Sequence, residues 1–126
     1  MRADGHKKRI GEKGEEVAAR FLQKKGYRVL ARNFRSRFGE VDIVAQDKDT
    51  IVFVEVRTGS RRRIHEPEET IGPLKQSRIV RTAQAYLQKH FPDEPCSARF
   101  DVVAIEETHE GFAVRHIPDA FECLEE

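Results

Sequence analysis

The stretch "TIVFVEVRTG", residues 50–59, is the run of apolar and β-branched residues that is typical of a buried strand. Glu55 interrupts this run, and Arg57 follows it two positions later on the same face of the strand. A carboxylate in a buried strand costs free energy unless a partner compensates its charge. The stretch therefore predicts a central strand with a site at Glu55.

A second strand is predicted immediately before it, over "GEVDIVAQ", residues 39–46. A tight turn centred on Lys48-Asp49 would join the two strands into an antiparallel hairpin. In that register Asp42 lies directly opposite Glu55, whereas a slip of one residue would separate the two carboxylates. We favour the first register, because the slip would turn the other side chains to the wrong face.

Two carboxylates this close repel each other, so one must take up a proton or a cation must lie between them. Their hard oxygen atoms suit Mg²⁺ or Mn²⁺, and Arg57 would add a positive charge beside whatever binds. The alternative is a structural ion pair between Glu55 and Arg57, with Asp42 capping a loop. The spacing alone leaves both interpretations open.

The remaining pattern predicts a single α/β domain over residues 1–126, a mixed β-sheet flanked by helices in the order α-β-β-β-α-β-β. Helices are predicted over Ile10–Lys25 and Pro73–His90. The other strands are predicted over residues 27–34, 98–105 and 112–117. Outside these elements, we expect a flexible basic arm at 1–9, a polar loop at 58–69 and an acidic tail at 118–126.

The first helix offers a third carboxylate. Glu15 lies at the edge of its apolar stripe and is the inward candidate, whereas Glu16 shares a solvated face with Arg20. Gly11 and Gly14 near the helix start favour a close backbone approach. That approach could be to a ligand or simply to the sheet.

The charge distribution is compatible with nucleic acid. The net charge is only +1, but residues 1–37 carry 12 Lys and Arg against 4 Asp and Glu. Scattered solvated cations balanced by an acidic tail would give the same numbers. Two cysteines without a CxxC motif favour neither a disulfide scaffold nor a zinc site, and no apolar run resembles a signal peptide or a membrane span. We therefore expect a cytoplasmic protein.

Four blocks in order, "GEKGEEVAARFLQKKGYRVLARNFR", "GEVDIVAQD", "IVFVEVR" and "RFDVVAI", resemble the YraN-like bacterial family. This is a family of predicted endonucleases, distantly related to archaeal Holliday junction resolvases. The resemblance covers residues 10–105 and implies the restriction-endonuclease-like, PD-(D/E)xK fold. In that superfamily, carboxylates hold a divalent metal beside the scissile phosphate.

Residue by residue, the resemblance implies metal ligands at Glu15, Asp42 and Glu55, so that the partner of Glu55 would be a metal ion rather than a side chain. Arg57 departs from the family lysine at its position. Arginine keeps the charge but cannot release its proton near neutral pH, so it is a poor base for activating water. Lys75 matches a family lysine at the start of the second helix and could approach the site, although a solvated surface position is the alternative.

Two groups of arginines could contact phosphates and give salt-sensitive binding that is independent of sequence. The candidates are Arg61, Arg62 and Arg63 in the polar loop and Arg32, Arg35 and Arg37 before the second strand. A disordered solvated loop is the alternative for the first group.

The sequence thus predicts a metal-dependent endonuclease that hydrolyses DNA phosphodiester bonds. The resolvase resemblance makes branched or junction DNA a possible substrate and a homodimer a possible assembly. The main alternative is a nucleic-acid-binding module that retained the fold without efficient chemistry, which Arg57 favours. A third is an interaction protein that binds no nucleic acid, because the net charge is near zero.

Overall fold

Two helices and five strands follow one another in the predicted order. The computed structural model describes residues 2–59, 71–94 and 97–121, with side chains from residue 13 onward. The elements are α1 (Arg2–Lys24), β1 (Arg28–Ser36), β2 (Gly39–Asp47), β3 (Thr50–Gly59), α2 (Pro73–His90), β4 (Ser97–Thr108) and β5 (Gly111–Phe121). The α/β class and the element order are confirmed, and the architecture is consistent with a restriction-endonuclease-like fold.

The boundaries of α2 are as predicted, whereas α1 and β5 extend furthest beyond their predicted ends. α1 begins at Arg2 rather than Ile10, so residues 2–9 continue the helix backbone. β5 runs on to Phe121 and includes the first residues of the predicted acidic tail. Apolar periodicity reports only the part of an element that packs on the core, so a polar extension gives no signal. Most of the predicted polar loop and the last five residues lie outside the described part of the chain.

The strands form one sheet in the spatial order β1-β2-β3-β4-β5. Only β3 and β4 are parallel, and α2 lies in the connection between them, as a parallel pair requires. In the β2–β3 hairpin Ile43 pairs with Val54 and Asp47 with Thr50. This is the predicted register, and the turn includes Lys48 in the left-handed conformation at φ 57°.

Both faces of the sheet are covered. The face that packs on α2 buries Phe53 and Phe100 against Ile79 and Tyr86. The opposite face packs on α1 and buries Ala18, Leu22, Ile43, Val52 and Val103. Among the described residues, each helix has only an apolar stripe, and none is long and apolar enough to cross a membrane.

Asp101 on β4 is fully buried and is held by three donors. Arg99 Nε lies 2.9 Å from its Oδ1, His116 Nε2 lies 2.7 Å from its Oδ2, and the Asp119 N–H donates to Oδ1 at 2.9 Å. Burial opposes ionisation of Asp101, but the bonds from His116 and Arg99 outweigh it and keep its pKa below the usual value. Asp101 is thus a structural residue paired with an arginine.

Replacing Asp101 by alanine should therefore remove the buried partner of Arg99 and His116. Among the described residues, Arg99 would keep as polar partners only Tyr27 and a 3.5 Å contact with Asp47, and His116 only Lys25. We expect Asp101→Ala to lower the free energy of unfolding by about 3–5 kcal/mol in urea denaturation. The same change at Asp49, in the exposed hairpin turn, serves as the matched control and should alter it by less than about 0.5 kcal/mol. Equal effects at both positions would show that the buried network contributes nothing.

Gly14 sets how closely α1 approaches the sheet. A Cβ at this buried position would overlap the Cγ2 methyl of Thr58 on β3 and touch Ile105 on β4. Close packing on the sheet is thus the observed reason for this glycine. The contact brings the neighbouring Glu15 to the end of β3 that carries Glu55.

Gly14→Ala should force α1 away from β3 and lower the free energy of unfolding by about 1–3 kcal/mol, measured in urea. Gly72→Ala is the control, because φ is −72° there and no atom lies within 4 Å of the added Cβ. At Gly72 the lower backbone entropy of the unfolded chain should nearly cancel the weaker helix cap. A Gly14 variant as stable as the Gly72 variant would contradict the close packing.

Candidate active site

Asp42 lies where the regular pairing of β2 with β3 ends. The last paired residues are Ile43 and Val54, and the same register carried one residue further sets Asp42 opposite Glu55. Asp42 Oδ2 accepts a hydrogen bond of 2.8 Å from the backbone N–H of Val56. That bond holds the carboxylate against β3 beside Glu55.

The electrostatic surroundings of Asp42 oppose its ionisation. Burial and then the negative charge of Glu55 raise the pKa of Asp42 to about 7, and the charges of Glu15 and Glu40 add to the rise. The N–H of Val56 acts in the other direction. Glu55, Glu15 and Glu40 are thus near enough to Asp42 to oppose its ionisation.

Glu55 is 8% exposed and has its closest charged partner on α2. Lys75 Nζ lies 2.6 Å from Glu55 Oε2, whereas Arg57 Nη1 lies 3.9 Å from the same oxygen. Among the described side chains, Lys75 is thus the nearest charged partner of Glu55. Lys75 lies at the site, as the family resemblance implied, and its side chain is 47% exposed.

A metal ion would find two opposed carboxylates here rather than a complete cage. No group of three His, Cys, Asp or Glu among the described side chains is arranged to hold a metal ion. Glu15 is half-buried and near enough to affect Asp42 electrostatically. Because Mg²⁺ usually keeps several waters and binds through one or two carboxylates, the oxygens of Asp42 and Glu55 suit it chemically.

The predicted phosphate-binding arginines divide into two kinds. Arg32 Nη1 lies 2.9 Å from Glu16, and Arg35 Nε lies 3.5 Å from Glu40, so both have a carboxylate partner. Arg37 instead has its guanidinium carbon 5.0 Å from the centroid of the Phe38 ring.

The ion pair between Arg32 and Glu16 confirms that Glu16 is on the surface of α1, where Glu16 also binds Arg20. The loop arginines lie outside the described residues: Arg61, Arg62 and Arg63.

Two features of the site were missed by sequence reasoning. Glu40 contributes to the pKa of Asp42, and its spacing of two residues from Asp42 on one strand was the available signal. Arg81 comes within 5.6 Å of the Phe38 ring, although the two are distant in sequence. No local pattern reports such a contact.

Fold and site together define an α/β protein of restriction-endonuclease-like architecture, with opposed carboxylates and a lysine at the end of a central hairpin. The chain belongs to the family described as Uncharacterised protein family UPF0102, which it matches over residues 14–105. The match includes Glu15, Asp42, Glu55 and Lys75. The family resemblance noted in the sequence is thereby confirmed.

Relatives of similar length share nearly half of the residues. A UPF0102 protein of Syntrophus aciditrophicus is 47% identical over 114 residues, which cover 90% of this chain and 89% of that protein. A second, from Symbiobacterium thermophilum, is 46% identical over 90% of this chain and 97% of its own length. A third, from Geobacter metallireducens, is 43% identical over 93% and 95%. These names state no activity, so a function must be argued from the site.

The raised pKa of Asp42 has a consequence for stability. Asp42 ionises near pH 3.9 in the unfolded chain and near pH 7 in the folded protein. The free energy of unfolding therefore falls as the pH rises between these values. Asp42→Asn removes this loss while its amide oxygen can still accept the Val56 N–H. We expect the variant to be more stable than wild type by about 2–4 kcal/mol at pH 8, and equally stable at pH 4.

Urea denaturation at the two pH values measures this difference, in buffer with EDTA. Asp49→Asn is the matched control in the exposed turn, and it should have no effect at either pH. A gain in stability at pH 8 that persists unchanged at pH 4 would mean that ionisation of Asp42 is not its cause.

Proposed function

We propose that this protein is a divalent-metal-dependent nuclease that hydrolyses phosphodiester bonds in DNA. The observation that carries the proposal is the opposed pair Asp42 and Glu55, which the fold holds together although their charges repel. Stability alone gives no reason for such a pair. A carboxyl group with a pKa raised as far as that of Asp42, beside another carboxylate, is a candidate for a functional site.

Asp42 and Glu55 would hold the metal ion, with Glu15 as a third oxygen donor from α1. Mg²⁺ and Mn²⁺ suit these ligands. When bound, such an ion supplies positive charge beside the phosphate and lowers the pKa of water. Since protons and metal compete for Asp42, metal affinity should rise with pH up to about 7.

Two cations of the chain would serve the phosphate. Lys75 has three N–H donors, and its 2.6 Å contact with Glu55 uses one of them. The other donors can therefore face a phosphate oxygen. Arg57 is 3.9 Å from Glu55 and keeps its charge at every physiological pH. In this assignment Lys75 stabilises and orients the reacting groups, and Arg57 balances charge on the phosphate.

The resolvase resemblance makes branched DNA the preferred candidate substrate, and a homodimer part of the proposal. A four-way junction presents two pairs of arms, so a symmetric dimer could engage it with two equivalent sites. Sedimentation velocity with and without junction DNA measures the assembly.

A second function has its own supporting observation. Lys75 already compensates the charge of Glu55, and arginine stands where the superfamily pattern has lysine. Both favour a nucleic-acid-binding module that keeps the nuclease fold without efficient cleavage. The two functions differ in one measurable respect, which is metal-dependent turnover.

The decisive experiment compares cleavage of duplex, single-stranded and four-way-junction DNA with Mg²⁺ or Mn²⁺. Glu55→Gln should lower the rate at least about 100-fold, because it removes a ligand from an ion that has few others. Lys75→Met should lower kcat, whereas Arg57→Lys should keep or raise it, because lysine is a compact and tunable cation.

Glu16→Gln is the matched control, since Glu16 lies beside Glu15 in the chain but pairs with Arg20 and Arg32 on the surface. It should cleave like wild type. Cleavage equal in wild type and Glu55→Gln would point to a contaminating nuclease and refute the catalytic proposal. Binding without cleavage by wild type and Arg57→Lys would instead support the binding module.

A further inference from the structure

α2 carries a row of basic side chains that begins at the candidate active site. Lys75, Arg78 and Arg81 follow one another at intervals of three residues, so they are neighbours along one side of the helix. All three are exposed. From Lys75 to Arg81 the helix axis advances about 9 Å.

The turn between β1 and β2 is fixed against this part of α2. The hydroxyl of Thr82 donates its one hydrogen to the Arg78 carbonyl at 2.8 Å. In the 3.0 Å contact between Ser36 and Thr82, Ser36 is therefore the donor and Thr82 Oγ1 the acceptor. Ser36 Oγ in turn accepts the N–H of Phe38 at 3.0 Å. Thr82 is fully buried, so this connection is shielded from water and holds the turn in place.

The docked turn places an aromatic ring between two guanidinium groups. The guanidinium carbons of Arg37 and Arg81 lie 5.0 and 5.6 Å from the centroid of Phe38. Phe38 is half-buried and belongs to neither apolar core among the described residues. A cation–π contact orients a guanidinium without neutralising its charge.

Among the described residues, these cations also lack the carboxylate partners that Arg32 and Arg35 have. Arg32 and Arg35 bind Glu16 and Glu40. Within residues 13–59, 71–94 and 97–121, no carboxylate forms an ion pair with any of the three exposed arginines around the turn. Those three are Arg37, Arg78 and Arg81.

We infer that Arg37, Arg78 and Arg81 form a track that binds the sugar-phosphate backbone of one nucleic-acid strand on its way from the Asp42–Glu55 site. Only the starting point of the strand rests on the proposed nuclease function, because the track binds whether or not the strand is cut. Arg78 and Arg81 are about 4.5 Å apart along the helix axis, and each strand of a duplex advances about 3.4 Å per nucleotide. With Arg37 beside Arg81, the track therefore engages two or three successive phosphates.

The chemistry of the track favours phosphates in series over a base or a small anion. Arginine forks match phosphate oxygens. Arg78 and Arg81 follow each other along α2, and Arg37 lies beside Arg81 on the adjoining β1–β2 turn. The ring of Phe38 positions two guanidinium groups and is not a free stacking platform. Binding should therefore be sensitive to salt and independent of sequence.

The experiment measures affinity for a fluorescein-labelled 30-base-pair duplex and a four-way junction by anisotropy, in EDTA, from low to moderate salt. Arg37→Gln, Arg78→Gln and Arg81→Gln are combined in one variant. Each lost phosphate contact lowers the slope of log affinity against log salt by about 0.9, so the triple variant should lose about 2–3.

Two further proteins make the result specific. A variant with Lys24→Gln, Arg28→Gln and Lys48→Gln loses the same charge from exposed positions near the other end of the β2–β3 hairpin. It should keep the wild-type slope within about 1. A variant with lysine at the three track positions keeps the charge and should retain most of the slope, which separates charge from misfolding.

A reduced slope in the glutamine variant alone supports the track, and it does so even where wild type cuts no DNA and the nuclease proposal fails. Equal slopes in the glutamine variant and wild type would overturn the track. So would equal losses in the two glutamine triple variants, since binding would then follow net charge. Wild type that binds neither DNA at low salt would overturn it as well.

Discussion

The repulsion between Asp42 and Glu55 is the constraint on which the site depends, and the hydrophobic core enforces it. Ile43 pairs with Val54 and Ala45 with Val52, and all four are buried under α1. A slip of the hairpin by one residue would separate the carboxylates, but it would also turn these apolar side chains away from the core. The chain therefore cannot relieve the repulsion by shifting register. Burial and then the charge of Glu55 raise the pKa of Asp42.

A comparison of two aspartates shows that burial alone does not make this site. Asp101 is fully buried, yet its pKa is lowered because Arg99, His116 and a backbone N–H surround it with donors. Asp42 has one backbone donor and three carboxylates nearby, and its pKa rises to about 7. The same residue type thus serves as a stable anchor on β4 and as an incompletely compensated charge on β2, on either side of β3. Only the second arrangement leaves an electrostatic need that a cation can meet.

α2 connects the carboxylates to the surface. Its apolar side packs Ile79 and Tyr86 on the sheet, while Lys75 in its first turn reaches Glu55. About two turns further along, Thr82 holds the β1–β2 turn through Ser36. A single packed helix therefore sets the position of the lysine at the site and of the arginines beyond it. Any DNA strand that reached Asp42 and Glu55 along this side would meet them in a fixed order.

Local pattern was sufficient for the element order, the α/β class, the bounds of α2 and the hairpin register, because each depends on periodicity, turn residues and alternation within a short stretch. The same alternation placed Asp42 opposite Glu55. Local pattern did not predict the start of α1, because no apolar period marks that part of the helix. It also did not show that Lys75, rather than Arg57, is the nearest charged partner of Glu55. It also could not show that Phe38 meets Arg81, or that Arg32 and Arg35 are paired with glutamates. The sequence by itself determined which residues share a strand face, whereas only the tertiary structure decided which charges are compensated, because compensation depends on distances between elements far apart in the chain.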